Sequence, residues 1–231
     1  MRLNEFNQPI GDALPDFTPG ELPQIKQLSG NFAMVESVNV EKHLDSAYEF
    51  YGPQSPKDQW TYLPINAFDS KADFETYFAQ MAASKDPYYL AVIDQQSGKV
   101  VGTFSLMRID PNNRSVEMGW VLYGPELKRS RIATEAQYLV MKYVFEELQY
   151  RRYEWKCDHL NAPSKRAAER LGMTFEGTFR RANVYKGRTR DTDWYSMLAE
   201  EYEAMKPKFE QWLALDNFDE NGQQLKSLHK F

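Results

Sequence analysis

From Ile132 to Gln149, apolar side chains recur every three to four residues, at Ile132, Ala136, Leu139, Val140, Tyr143, Val144 and Leu148. That period places them on one stripe of a helix, which must be buried against other elements. The stretches before it have a different rhythm. Tyr88–Ile93, Val100–Met107 and Ser115–Tyr123 read as three strands of an antiparallel meander, with turns at 94–98 and at Asp110-Pro111-Asn112-Asn113. A long amphipathic helix that follows a meander calls for an α/β domain built around a sheet.

The flanking segments extend this pattern. Residues 31–37 read as a first strand, Val40–Phe50 as a helix, and Asp69–Ala83 as a second helix capped by Ser70. After the long helix come a strand at Tyr153–Cys157 and a short helix that Asn161 caps, with Pro163 in its first turn and Gly172 as its stop. Two closing strands, Phe175–Val184 and Asp191–Leu198, flank Lys186-Gly187. The chain divides into a Pro- and Gly-rich arm (1–30) with little regular structure, a domain (31–199), and a tail (200–231) with one helix near Glu201–Leu215.

Composition narrows the function classes. Hydrophobic residues make up 42% of the 231, enough for a core, and no apolar run reaches the roughly 20 residues that cross a bilayer. The first sixteen residues lack signal- or transit-peptide character, so a cytoplasmic protein with no membrane partner is expected. A lone cysteine, Cys157, excludes an internal disulfide, and three scattered histidines (His43, His159, His229) argue against a metal site. Net charge is −5, yet residues 128–190 hold fifteen Lys and Arg against seven Asp and Glu. A basic stretch in an acidic chain points to a local anion site.

One such site lies where the long helix starts. A helix N-terminus offers unpaired N–H groups and positive potential to a phosphate, and Lys128, Arg129 and Arg131 add cationic donors. Strand, basic loop, Ile132-Ala133-Thr134-Glu135-Ala136, strand, then Asn161-x-x-Ser164, Arg166 and Leu171-Gly172-Met173-x-Phe175-Glu176-Gly177 follow in order. This succession resembles the GNAT acyl-CoA-dependent N-acetyltransferases, and more narrowly the branch that includes the ribosomal-protein N-terminal (alpha-amino) acetyltransferases. The resemblance runs from about Gly30 to Leu198.

It implies an α/β (α+β) fold with a central mixed, mostly antiparallel sheet of about seven strands. That sheet would be splayed between its fourth and fifth strands, Ser115–Tyr123 and Tyr153–Cys157, and flanked by helices. Acetyl-CoA would lay its pantetheine arm in the wedge against the backbone of Trp120, Val121 and Leu122, as an added strand would. Its pyrophosphate would rest on Lys128, Arg129, Ser130, Arg131, Ile132 and Ala133, with Thr134 also binding the cofactor, Asn161 and Ser164 beside the thiol arm and Arg166 toward the nucleotide. The family loop carries two glycines where this chain has Arg129 and Arg131. Either the loop stays in ordinary backbone regions, or arginine charge offsets a looser cradle.

The expected reaction moves an acetyl group from acetyl-CoA to a primary amine by direct attack in a ternary complex. Glu117 is the candidate general base, acting through water, because a carboxylate in an apolar strand is costly to bury without purpose. A salt bridge to Arg114 or another basic neighbour is the competing reading. Strict alternation places Glu117, Gly119 and Val121 on one face and Met118, Trp120 and Leu122 on the other. Ser164 is the candidate acid toward the departing thiolate, or a cap only, and a Trp120 N–H could polarise the carbonyl. Cys157 reads as a buried strand residue, Asp191 and Tyr195 as hairpin fixtures or acceptor-mouth residues, and Trp60 and Tyr62 as an acceptor wall. Two other classes compete: a non-catalytic acyl-CoA-binding or regulatory protein of the same fold, and more weakly a nucleic-acid binder, for which no module is recognisable. The sequence leaves the acceptor and a homodimer through the tail open.

Overall fold

The computed structural model describes residues 2–231. Eight strands form the main sheet: β3 (Leu28–Ser29), β4 (Ala33–Ser37), β5 (Tyr88–Asp94), β6 (Val100–Asp110), β7 (Ser115–Tyr123), β8 (Arg152–Asp158), β9 (Thr174–Tyr185) and β10 (Arg188–Leu198), preceded by a small hairpin of β1 (Arg2–Leu3) and β2 (Pro9–Ile10). Their order is β3-β4-β5-β6-β7-β8-β10-β9, antiparallel throughout except for the parallel pair β7–β8. The sheet is therefore mixed and mostly antiparallel as expected, with one strand more. The extra strand comes from the arm, whose Leu28 and Ser29 pair with Val35 and Met34.

Helices cover both faces. α1 (Val40–Tyr51) and α2 (Lys71–Ala83) pack over β4–β6 through Phe50, Tyr51, Phe74 and Phe78, and Asn39 and Ser70 cap them. α3 (Arg131–Lys142), α4 (Ala162–Arg170) and α5 (Ala199–Trp212) lie on the other face, where Val140, Ala168, Tyr202 and Phe209 join the larger core. The long periodic stretch is α-helical only to Lys142 and continues as a π-helical turn over Tyr143–Glu147. Gly172 ends α4 at φ +86°, a conformation that excludes most side chains. No helix is long and apolar enough to cross a membrane among the described residues.

One link between α3 and the sheet carries charge. The Glu135 carboxylate, 3% exposed, accepts the N–H groups of Asn31 (2.7 Å), Phe32 (2.6 Å) and Ala33 (2.6 Å). A Cβ on Gly30 would overlap this carboxylate and push it away from the three N–H groups it holds. The start of β4 is thus tied to the first turns of α3.

Candidate active site

The site grows from a fork. β7 and β8 pair only from Ser115↔Arg152 to Met118↔Trp155. Beyond that point β7 stays on β6 through Leu122↔Thr103 and Tyr123↔Gly102, while β8 stays on β10 through Cys157↔Asp193 and Asp158↔Thr192. One edge of Gly119–Tyr123 is left without a strand partner, which is the wedge expected between these strands.

A bulge shapes the fork. The β6–β7 register slips between Thr103 and Ser105, and Trp120 takes φ +50°. The extra residue breaks strict alternation: Trp120 and Leu122 pack with the α1/α2 cluster, whereas Met118 and Val121 pack with the α3 cluster. Met118, Trp120 and Leu122 therefore do not share a face.

At the start of α3, Ser130 Oγ accepts the Ala133 N–H at 3.2 Å and donates to Leu127 O at 2.8 Å. Arg131 and Ile132 N–H keep no protein acceptor among the described residues. Arg129 sits at φ +62°, so the loop adopts the left-handed shape of the family glycine with a side chain in place, at a cost of about 1–2 kcal/mol. The alternative of an ordinary backbone does not hold at Arg129; Arg131 is the first helical residue. The Arg131 guanidinium lies 4.1 Å from the Phe32 ring centre and 5.3 Å from that of Phe218, toward the start of β4. Lys128 and Arg129 are exposed, and Thr134 is buried, accepting from Arg170 Nη1 at 2.9 Å.

Glu117, 6% exposed, lies at the fork's closed end. Lys156 Nζ contacts it at 2.8 Å and Arg108 Nε at 3.2 Å; Arg114 is not its partner. Burial raises its pKa above the usual carboxylate range, against the opposing pull of Lys156 and Arg108. The same Nζ bonds Glu154 at 2.7 Å and sits 3.7 Å over the Trp194 ring. Lys156 is thus held between two carboxylates on neighbouring strands.

On the other side of the fork, Asn161 Oδ1 caps α4 by accepting Ser164 N–H at 3.2 Å. Ser164 Oγ accepts from Trp155 Nε1 at 2.9 Å and lies in hydrogen-bond reach of the Cys157 thiol, which burial pushes up to about 11. Its burial fits a structural cysteine. Arg166 is exposed on α4. Tyr153 Oη and Gln137 Oε1 are buried without partners; Gln137 bonds Tyr123 on β7, and Tyr153 projects from β8 into the α3 core. Unpaired amides at the start of α3 and a split sheet together fit an extended, amide-bearing phosphate ester such as acyl-CoA.

The rim of the fork comes from three segments. Asp158, at the end of β8, accepts from Tyr185 O–H at 2.7 Å, and Tyr62 O–H donates to Leu160 O at 2.9 Å. Lys186 Nζ donates to Trp60 O (2.7 Å) and Arg188 Nη2 to Thr61 O (2.6 Å), tying the β9–β10 hairpin to the 57–62 loop. Trp60 itself is buried against Tyr51, so it braces the loop, and Tyr62 bridges to the turn after β8. Asp191 accepts Arg181 N–H, and Tyr195 is buried facing Glu169 of α4. His159 contacts the buried Asp193 at 2.9 Å.

Lys156, Arg170, Tyr185 and Glu135 escaped the sequence reading. The alternation of Arg152, Glu154, Lys156 and Asp158 with Tyr153, Trp155 and Cys157 marks Lys156 as a residue on the polar face of β8. Glu135 has no comparable signal, because on a helix it looks like a solvated charge.

Residues 38–174 match the profile of the acetyltransferase (GNAT) domain. A Bacillus subtilis (strain 168) protein, YdaF, provisionally named a ribosomal N-acetyltransferase, is 28% identical over 56% of this chain and 79% of its own. A GCN5-related N-acetyltransferase from Brucella melitensis superposes with TM-score 0.91 at 44% identity, covering 94% of this chain and 98% of that one. A Vibrio cholerae structure, provisionally named a ribosomal-protein-serine acetyltransferase, shares the fold at TM-score 0.63 and 19% identity, over 80% of this chain and 99% of its own.

Proposed function

The chain belongs to the GNAT acetyltransferase family and is an acetyl-CoA-dependent N-acetyltransferase, and from that premise we propose that it acetylates a primary amine by direct attack in a ternary complex. The observation that carries the proposal is the fork beyond Met118 and Trp155, with the bulged Trp120 on one prong and the capped start of α4 on the other. Acetyl-CoA supplies the activated acyl group. The backbone of Trp120–Leu122 and the amides of Arg131 and Ile132 hold the pantetheine and pyrophosphate, with Lys128 and Arg129 adding charge.

The amine must lose a proton before or during attack. An α-amino group ionises near 7.7–8.0 and an alkylammonium near 10.4, so the former is the easier acceptor. Glu117 takes that proton through water, and its raised pKa makes it a stronger base than an exposed carboxylate. Lys156 and Arg108 favour its ionised form and oppose the effect of burial. The Trp120 N–H stabilises negative charge on the carbonyl oxygen. Ser164, whose oxygen already accepts from Trp155, has its own proton to give to the departing sulfur. The relatives provisionally named for ribosomal proteins support a protein N-terminus as acceptor; a small amine is the other class.

Thiol release from acetyl-CoA against a panel of peptide N-termini and small amines tests this. Turnover on at least one amine, lowered about 10²-fold or more by Glu117→Gln, is expected. CoA binding without turnover on any amine refutes it.

A further inference from the structure

The eleven residues from Arg180 to Arg190 carry five cations (Arg180, Arg181, Lys186, Arg188, Arg190) and no carboxylate. None of the five makes an ion pair among the described residues. This charge stands apart from Lys128 and Arg129 at the start of α3: it belongs to the β9–β10 hairpin, which closes over the 57–62 loop beside the end of β8. Lys186 and Arg188 spend one N–H each on the carbonyls of Trp60 and Thr61 and keep their charge uncompensated. Arg190 lies 5.9 Å from the Tyr185 ring and within electrostatic reach of Cys157, at the open end of the fork.

Its environment is unusual in one respect. Arg190 Nε is buried and has no hydrogen-bond partner. A buried cationic donor without an acceptor carries a desolvation cost that nothing in the protein offsets. The carboxylates around it are already engaged. Asp158 accepts from Tyr185 and the Leu160 N–H, Asp191 from the Arg181 N–H, and Glu117 is paired with Lys156 and Arg108, while Asp193 accepts from Thr178 and His159 through Oδ1 and keeps only an ion contact with Lys165 (3.1 Å) at Oδ2.

We propose that Arg190, with Lys186 and Arg188, forms an anion-recognition subsite at the acceptor mouth, so that the favoured amine carries a carboxylate or phosphate close to its amino group. The inference rests on the acetyl-transfer reading above and adds the charge class of its acceptor. The anion pairs with the guanidinium of Arg190 while the amine faces Glu117. Three cations on one rim also raise the local concentration of an anionic acceptor, an effect that salt screens.

Alanine-headed tripeptide amides that differ only in the next two residues test this, with neutral, glutamate, phosphoserine and lysine arms. Expected kcat/KM is about tenfold higher for an anionic arm than for the neutral one and lower still for the lysine arm. Whichever anionic arm is better identifies carboxylate or phosphate as the recognised group. Raising salt to about 0.5 M should collapse the preference. Arg190→Gln should abolish it, Arg190→Lys restore part of it, and Arg190→Glu favour the lysine arm, all with CoA affinity unchanged by calorimetry. Arg188→Gln provides a second variant with the same expected direction. Transfer that is equal across the charge series overturns this inference alone, as does loss of CoA affinity in Arg190→Gln. Absence of transfer to every amine overturns the acetyl-transfer reading itself.

Discussion

Replacing Arg129 by glycine separates two things that the phosphate loop combines, backbone shape and charge. Arg129 holds φ +62°, where an L-residue pays about 1–2 kcal/mol and glycine nothing. Glycine also loses more freedom on folding, about 0.5–1 kcal/mol relative to alanine. The balance for Arg129→Gly is a stability change between about zero and +1.5 kcal/mol. Arg129→Ala keeps the strained conformation and should give no gain. One kcal/mol moves the melting midpoint of a chain this size by roughly 2–4 °C, so calorimetric scans without ligand should rank Gly at or above wild type and above Ala. Both variants lose the same cation. If Arg129 donates one charge-assisted bond to pyrophosphate, worth about 1.5–3 kcal/mol, CoA affinity should fall by roughly 10- to 150-fold in both, measured by titration calorimetry. A glycine variant less stable than the alanine variant would refute the conformational half. Unchanged CoA affinity would remove Arg129 from the phosphate site.

Three further outcomes follow from the same geometry. Glu135→Ala strands three N–H groups at the start of β4, so it should cost about 3 kcal/mol or more and lower the melting midpoint by roughly 6–12 °C, with Glu135→Gln in between; a loss under 1 kcal/mol by urea titration contradicts the tie. Because burial raises the Glu117 pKa, the folded chain binds its proton more tightly than the unfolded one. Its ionisation therefore erodes stability as pH rises through the folded pKa, and Glu117→Gln should flatten that dependence. Activity should rise through the same ionisation, and Lys156→Gln should shift the acidic limb to higher pH; a limb that does not move separates Lys156 from the base. Cys157→Ala should retain transfer with sequential kinetics, whereas loss of turnover in a folded variant would contradict direct attack.

Much of the fold is written in local pattern. The spacing from Ile132 to Leu148, the caps at Ser70 and Asn161, and the stop at Gly172 act within a few residues, and the structure realises them, with a π-helical turn over the last part of the helix. The strand order could be reached only through resemblance, since pairing is set between distant segments. Trp120 shows where local reasoning stops: alternation puts it with Met118 and Leu122, but the slip between Thr103 and Ser105 on another strand leaves it with Leu122 and apart from Met118.

The sequence by itself determined the segments, the amphipathic helix and its basic start, because propensity and periodicity depend on neighbours along the chain. Tertiary structure alone decided that Lys156 would stand between Glu117 and Glu154, that Arg129 would hold a left-handed turn, and that Glu135 would bind the start of β4. It also divided one basic stretch into two groups of charge, one at the start of α3 and one on the β9–β10 hairpin at the rim. Charges and hydrogen bonds act through space, and residues far apart in the chain become partners only once the strands have chosen their register.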